Sequence, residues 1–134
     1  MEQKTIKLRM DPPLLGFEEI DTYTLRPVPE NPYFFWLEAE NGPQFLLTRP
    51  EYFFSDYLQQ VKQYLMSNTA YVEKSLDVFV IVMLKDKVQD MTANLMAPLL
   101  LDFETRQAGQ YVLYDSPYTP RHRLFPPQKR RNCG

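Results

Sequence analysis

Twelve prolines against four glycines set the main constraint on what this chain of 134 residues can fold into. Proline fixes φ and lacks an N–H, so it interrupts helices and sheet ladders, while glycine is the usual residue of tight turns. Most turns must therefore be made by Pro, Asn and Asp, and long uninterrupted helices have few places to fit. The length is that of one domain, burying roughly two-thirds of its unfolded surface. With 44% hydrophobic and 24% charged residues the chain has the composition of a folded globular protein rather than a disordered one.

Between the prolines the hydrophobic pattern is mostly that of strands. Residues 5–10 alternate, with Ile6, Leu8 and Met10 on one side and Lys7 and Arg9 on the other, before Asp11-Pro12-Pro13 ends the run. Residues 21–26 alternate through Tyr23 and Leu25, and we expect Pro27, Pro29 and Pro32 to break the ladder there. Residues 33–38 and 44–48 flank Asn41-Gly42, a strong hairpin signal because both residues tolerate positive φ. Over 50–72, Phe54, Leu58, Val61 and Leu65 fall at helical spacing and Pro50 suits a first turn.

Residues 76–84 form a β-branched run apolar on both sides, which predicts the central strand. A second apolar run covers 95–103, residues 105–109 read as a turn into a strand over 111–114, and the chain beyond Asp115 reads as loop and tail. These elements predict an all-β, mainly antiparallel fold, a small closed or partly open β-barrel of about seven strands with one or two short helices.

Charge and composition exclude several function classes. Residues 1–120 carry ten basic and seventeen acidic side chains, a net of −7, whereas residues 121–134 carry five basic and none acidic. The total of −2 is not that of a polycation built to hold phosphates. Cys133 stands alone and cannot form an internal disulfide, and with His122 it leaves too few ligands for the usual zinc site. No apolar run is long enough to span a bilayer, and the residues after Met1 do not form a signal-peptide core, so we expect a cytoplasmic protein without cofactor, metal or membrane partner. Nothing in the sequence calls for an obligate assembly, and a monomer is expected.

Catalytic motifs are sparse. Four glycines, at Gly16, Gly42, Gly109 and Gly134, cannot supply a Gly-rich phosphate loop of either common spacing. Asp115, Ser116 and His122 are the residue types of an acyl-transfer triad, but Asp115 and Ser116 are adjacent, prolines stiffen the stretch and no glycine elbow exposes a nucleophile. Local turn hydrogen bonds are the better reading for them, which leaves a small hydrolase as an alternative only. Glu18, Glu19 and Asp21 form a small acidic cluster of the kind that usually faces solvent. Nineteen aromatic residues could stack bases in a nucleic-acid-binding barrel, yet only Arg26 is basic within ten positions of the 33–36 cluster. A barrel core is the better use for those rings. Pro98, inside Leu95-Met96-Ala97-Pro98-Leu99-Leu100-Leu101, marks either an apolar sheet edge offered to a partner or a covered strand that begins at the proline.

The run Met91-Thr92-Ala93-Asn94-Leu95-Met96-Ala97-Pro98 closely resembles the flagellar assembly factor FliW family. Further matches are Gly16-Phe17-Glu18, Tyr33-Phe34-Phe35-Trp36-Leu37, Phe54-Ser55-Asp56-Tyr57, Gly109-Gln110-Tyr111-Val112-Leu113 and Ser116-Pro117-Tyr118-Thr119-Pro120-Arg121-His122, in the family's order. Pro13 and Leu15 depart from the pattern, residues 58–75 match poorly, and the basic tail has no counterpart in it.

The resemblance implies one β-barrel domain over residues 1–124 and a basic, flexible tail over 125–134. It places a strand after Tyr57 and shortens the helix to about 62–71. It implies a non-enzymatic protein that binds flagellin in the cytoplasm and, when free, binds the RNA-binding translational regulator CsrA and relieves its repression of flagellin translation, without binding nucleic acid itself. Partner contacts are expected at Thr92, Asn94, Leu95, Ala97, Pro98 and Leu99, and at Tyr118, Arg121 and His122. Asn94 could instead only shape a turn.

Overall fold

A computed structural model describes residues 5–68 and 76–125. Nine strands and one α-helix are present among them: β1 (Ile6–Met10), β2 (Thr22–Val28), β3 (Asn31–Ala39), β4 (Gln44–Thr48), α1 (Tyr57–Asn68), β5 (Asp77–Met83), β6 (Thr92–Ala93), β7 (Leu99–Asp102), β8 (Gln107–Gln110) and β9 (His122–Arg123). Short 3-10 turns cover Pro50–Tyr52 and Val88–Asp90. The order β4-β3-β2-β1-β8-β7-β5, closed by pairing of β4 with β5, makes a seven-stranded barrel of the kind the sequence predicts. All ring contacts are antiparallel except β1 with β8, where Arg9 and Met10 face Gln107 and Ala108 in parallel register.

β5 is central, as its composition requires. One edge pairs with β4; the other pairs with β7 through Asp77, Val78 and Phe79, and then with β6 through Val82 and Met83. Its alternate side chains enter two cores. Phe79 and Ile81 join the barrel interior with Leu8, Met10, Tyr23, Leu25, Leu37, Leu47, Leu99 and Leu101. Val78, Val80 and Val82 face outward into a second core, closed by Tyr57, Val61 and Leu65 of α1 and by Leu95, Leu113 and Leu124. A strand buried on both faces needs apolar residues at every position, which accounts for the run.

Several local expectations are corrected. The helix begins at Tyr57, not near residue 62, and no strand follows Tyr57, because Tyr57, Val61 and Leu65 repeat at intervals of four and present one face to the outer core. The part of the expected helix beyond Asn68 lies outside the described residues. Pro27 and Pro32 do not end their strands: Pro27 lies in β2 beside a register shift to Val28, and Pro32 lies near the start of β3. Bulges and strand starts are the positions that spare a ladder hydrogen bond, so both prolines fit. The hairpin of β3 and β4 forms, with positive φ at Asn41 but not at Gly42.

The expected strand over 111–114 is displaced to Gln107–Gln110. Tyr111 and Leu113 instead donate their N–H groups to the Pro98 and Met96 carbonyls in an irregular continuation. The segment beyond Asp115 is not all loop, since β9 pairs with β6. Phe125 packs on Phe53, ring centroids 5.5 Å apart, and the rest of the expected tail lies outside the described residues. Among the described residues no helix is long and apolar enough to cross a membrane.

Candidate functional site

The family-like run forms a bulge between two short strands. β6 and β7 pair with the same edge of β5, and residues 94–98 bow away from it. Asn94 shapes this bow: its N–H donates to the Ile81 carbonyl at 2.9 Å, and its Oδ1 accepts the N–H groups of Met96 and Ala97 at 3.0 and 3.2 Å. A short amide that bonds backbone two and three residues ahead stabilises such a turn. Asn94 thus shapes the turn while its side chain stays half-buried.

The closing segment folds back over the bulge. β9 sets Ala93 opposite His122, and the Leu95 N–H donates to the Thr119 carbonyl at 3.2 Å. Tyr57, at the start of α1, donates its hydroxyl to the Leu95 carbonyl at 2.6 Å and meets Tyr118 edge-on at 4.8 Å. Tyr118 in turn donates its hydroxyl to Gln60 Oε1 at 2.6 Å. His122 Nε2 accepts the Thr119 N–H at 2.8 Å, while its ring lies 5.9 Å from Tyr118 and 6.4 Å from Phe54. The fold therefore brings the two expected partner segments, and the Phe54-Ser55-Asp56-Tyr57 match, to one place.

It also decides which of their side chains a partner could reach. Leu95, Ala97 and Leu99 are 2%, 3% and 0% exposed, and Pro98 is buried. Of the two readings of Pro98, the covered strand holds: β7 is paired on one side with β5 and on the other with β8, leaving no free apolar edge there. Thr92, Asn94, Tyr118 and His122 are half-buried, and Thr119, Pro120 and Arg121 are exposed. Thr92 Oγ1 is buried without a hydrogen-bond partner among the described residues.

Electrostatics follow burial. Desolvation pushes the Tyr57 phenol far above its ordinary value, with a smaller contribution from Tyr118. It raises Tyr118 too, helped by Asp56, and lowers His122, which keeps the imidazole neutral and able to accept at Nε2. The residues of the triad-like grouping are engaged locally. Ser116 Oγ donates to the Leu113 carbonyl at 2.7 Å and accepts from the Tyr118 N–H at 3.3 Å, and His122 Nε2 takes the Thr119 N–H. Among the described residues no group of His, Cys, Asp and Glu is placed to hold a metal ion.

A feature not anticipated from the sequence lies at the barrel's open end. Ile6, Leu25, Pro27, Pro32, Phe35, Arg49, Tyr52 and Phe103 line a cavity of about 550 Å³ there. Leu14, Phe17 and Ile20 pack against the interior core from the segment between β1 and β2. The cavity residues come from five separate stretches of chain, and no sequence spacing links them.

Comparison with known proteins agrees with these observations. The family model described as "FliW protein" matches residues 1–124. The flagellar assembly factor FliW of Moorella thermoacetica is 34% identical over 115 residues, spanning 82% of this chain and 72% of that protein. That of Heliobacterium modesticaldum is 34% identical over 114 residues, spanning 83% and 74%. A solved structure titled "Crystal structure of the flagellar assembly factor FliW" superposes with a TM-score of 0.75 at 27% identity, covering 92% of this chain and 88% of that one. The chain, with its seven-stranded barrel and its bulge latched under the closing segment, belongs to the FliW family of flagellar assembly factors.

Proposed function

We propose that this protein binds flagellin in the cytoplasm and, once flagellin has been exported, binds the RNA-binding regulator CsrA and relieves its repression of flagellin translation. The observation that carries this reading is membership of the flagellar assembly factor family across residues 1–124. The charge distribution supports it. A body of net charge −7 over residues 1–120, docked beside a cationic RNA-binding surface, repels incoming phosphates. Antagonism then needs no direct occupation of the RNA contacts, and the protein itself has no use for nucleic acid.

The partner-contact residues proposed from the sequence divide by accessibility. Tyr118, Arg121 and His122, with Thr92 and Asn94, can meet a partner through the closing segment. Leu95, Ala97, Pro98 and Leu99 act on any partner only by holding that segment in place. Mixing the purified protein with CsrA and with flagellin, and following co-elution, tests the reading directly. We expect a complex with each; failure of both removes the proposal.

A further inference from the structure

An aromatic stripe runs outward from the last described residue. Phe125 stands edge-on to Phe53 with ring centroids 5.5 Å apart, Phe53 meets Tyr52 at 6.5 Å, and Tyr52 meets Tyr33 at 5.3 Å. Exposure rises along it: Phe125 and Phe53 are half-buried, whereas Tyr52 and Tyr33 are 45% and 51% exposed. Exposed rings that adjoin one another from separate stretches of chain mark an interaction surface, which isolated ones do not.

Carboxylates flank the exposed end of the stripe. Glu51 directly precedes Tyr52, Glu30 lies in the turn three residues before Tyr33, and both are exposed. Neither forms an ion pair or a side-chain hydrogen bond among the described residues. Arg26 and Arg49, the cations nearest to them in sequence, are already held by Glu38 and Asp77 at 2.9 and 2.8 Å. The surface therefore combines open aromatic rings with negative charge that no neighbouring cation answers.

The chain itself supplies an occupant of matching chemistry. The family match ends at residue 124, and beyond Phe125 the sequence continues Pro126-Pro127-Gln128-Lys129-Arg130-Arg131. Consecutive prolines favour the polyproline II conformation, which aromatic-lined grooves accept at low entropic cost. At about 3.1 Å per residue, six residues span about 19 Å, enough to follow all three ring steps from Phe125 to Tyr33. The cations then reach the Tyr52 and Tyr33 ring faces and the Glu30 and Glu51 carboxylates together. A tether this short gives an effective concentration in the millimolar range, above what a separate partner or a second copy brings. We propose that residues 126–131 fold back along the stripe, with the prolines on the rings and Lys129, Arg130 and Arg131 against Glu30 and Glu51. The tail is then a built-in cover, and a partner that uses this rim must displace it.

The test uses the full chain carrying a nitroxide spin label on Cys133, its only cysteine. The amide signals of Asn31, Tyr33, Tyr52 and Phe53 are expected to broaden about threefold more than those of Glu18, Glu19 and Asp21, an acidic loop at the opposite end of the barrel. Two variants with unchanged thermal unfolding should each halve that broadening or better: Tyr33→Ser with Tyr52→Ser, which removes exposed rings, and Lys129→Glu, Arg130→Glu and Arg131→Glu together, which reverses the tail. Broadening that is equal at the 18–21 loop overturns the proposal in favour of unspecific attraction to acidic loops. Stripe broadening that survives both variants unchanged overturns it as well. Mixing labelled chain with unlabelled, isotope-enriched chain detects contact between molecules, and broadening as strong there as within the labelled chain overturns the proposal in favour of a second copy's tail.

Discussion

At the residue scale, the Tyr57 hydroxyl is the group with most at stake. It is buried, it donates to the Leu95 carbonyl at 2.6 Å, and its ring supports Tyr118, so α1, the bulge and the closing segment meet at one side chain. Tyr57→Phe keeps the ring and leaves the carbonyl without that donor; chemical denaturation should register a loss of about 1–3 kcal/mol. His122 makes a smaller, pH-dependent contribution. Burial lowers its pKa, so the unfolded chain takes up the proton first as pH falls below about 6.5. Stability from this group is complete above that pH and is lost as pH falls toward the folded-state pKa, because protonation at Nε2 removes the acceptor of the Thr119 N–H. Between pH 7 and 5 the thermal midpoint of the wild-type chain should therefore fall further than that of His122→Gln. The carboxylates common to both cancel in the difference.

At the element scale, the short strands β6 to β8 depend on close backbone approach. A Cβ on Gly109 would lie 2.6 Å from Pro12 Cδ and 2.7 Å from the Asp11 carbonyl oxygen. Backbone cannot swing aside as a flexible side chain can, so Gly109→Ala should cost about 1–3 kcal/mol, measurable as a lower denaturant midpoint with unchanged slope. β7 is covered on both edges, and this changes what a charge introduced there would report. Leu99→Lys places an unpaired ammonium in the barrel interior and should abolish folding, seen as loss of the cooperative thermal transition. It therefore cannot probe partner binding, whereas exposed Arg121 can. At α1 the helical spacing is the better guide and the family resemblance misplaces a strand; at β7 local pattern leaves two readings open. Pro98 starts a covered strand as readily as it blunts an edge, and only pairing with β5 and β8 distinguishes the two.

At the scale of the whole molecule, the charge partition is the property on which the proposed regulation can be tested. If the net −7 of residues 1–120 keeps RNA from a docked regulator, antagonism should weaken as ionic strength rises, since the screening length falls from about 10 Å at 0.1 M to about 3 Å at 1 M. A competition assay of regulator and RNA at increasing salt measures this, and potency independent of salt would exclude the electrostatic role.

Much of the architecture was legible in local pattern. The alternation of Ile6, Leu8 and Met10, the Asn41-Gly42 hairpin and the apolar run through Val78 and Val82 are short-range statements, and short-range backbone geometry with burial period is enough to make them. The seven-stranded barrel and the segments that meet at the bulge followed from these and from the family-like motifs. Tertiary structure alone decided the rest. Whether Leu95 and Leu99 are offered or buried depends on other segments: β5 and β8 flank Leu99, and α1 and the closing segment cover Leu95. The cavity around Arg49 exists because strand ends and turns distant along the chain converge when the barrel closes, and no periodicity records where they converge. Hydrophobic pattern determines which faces of this chain must be covered; only the closed sheet determines which apolar groups were left uncovered.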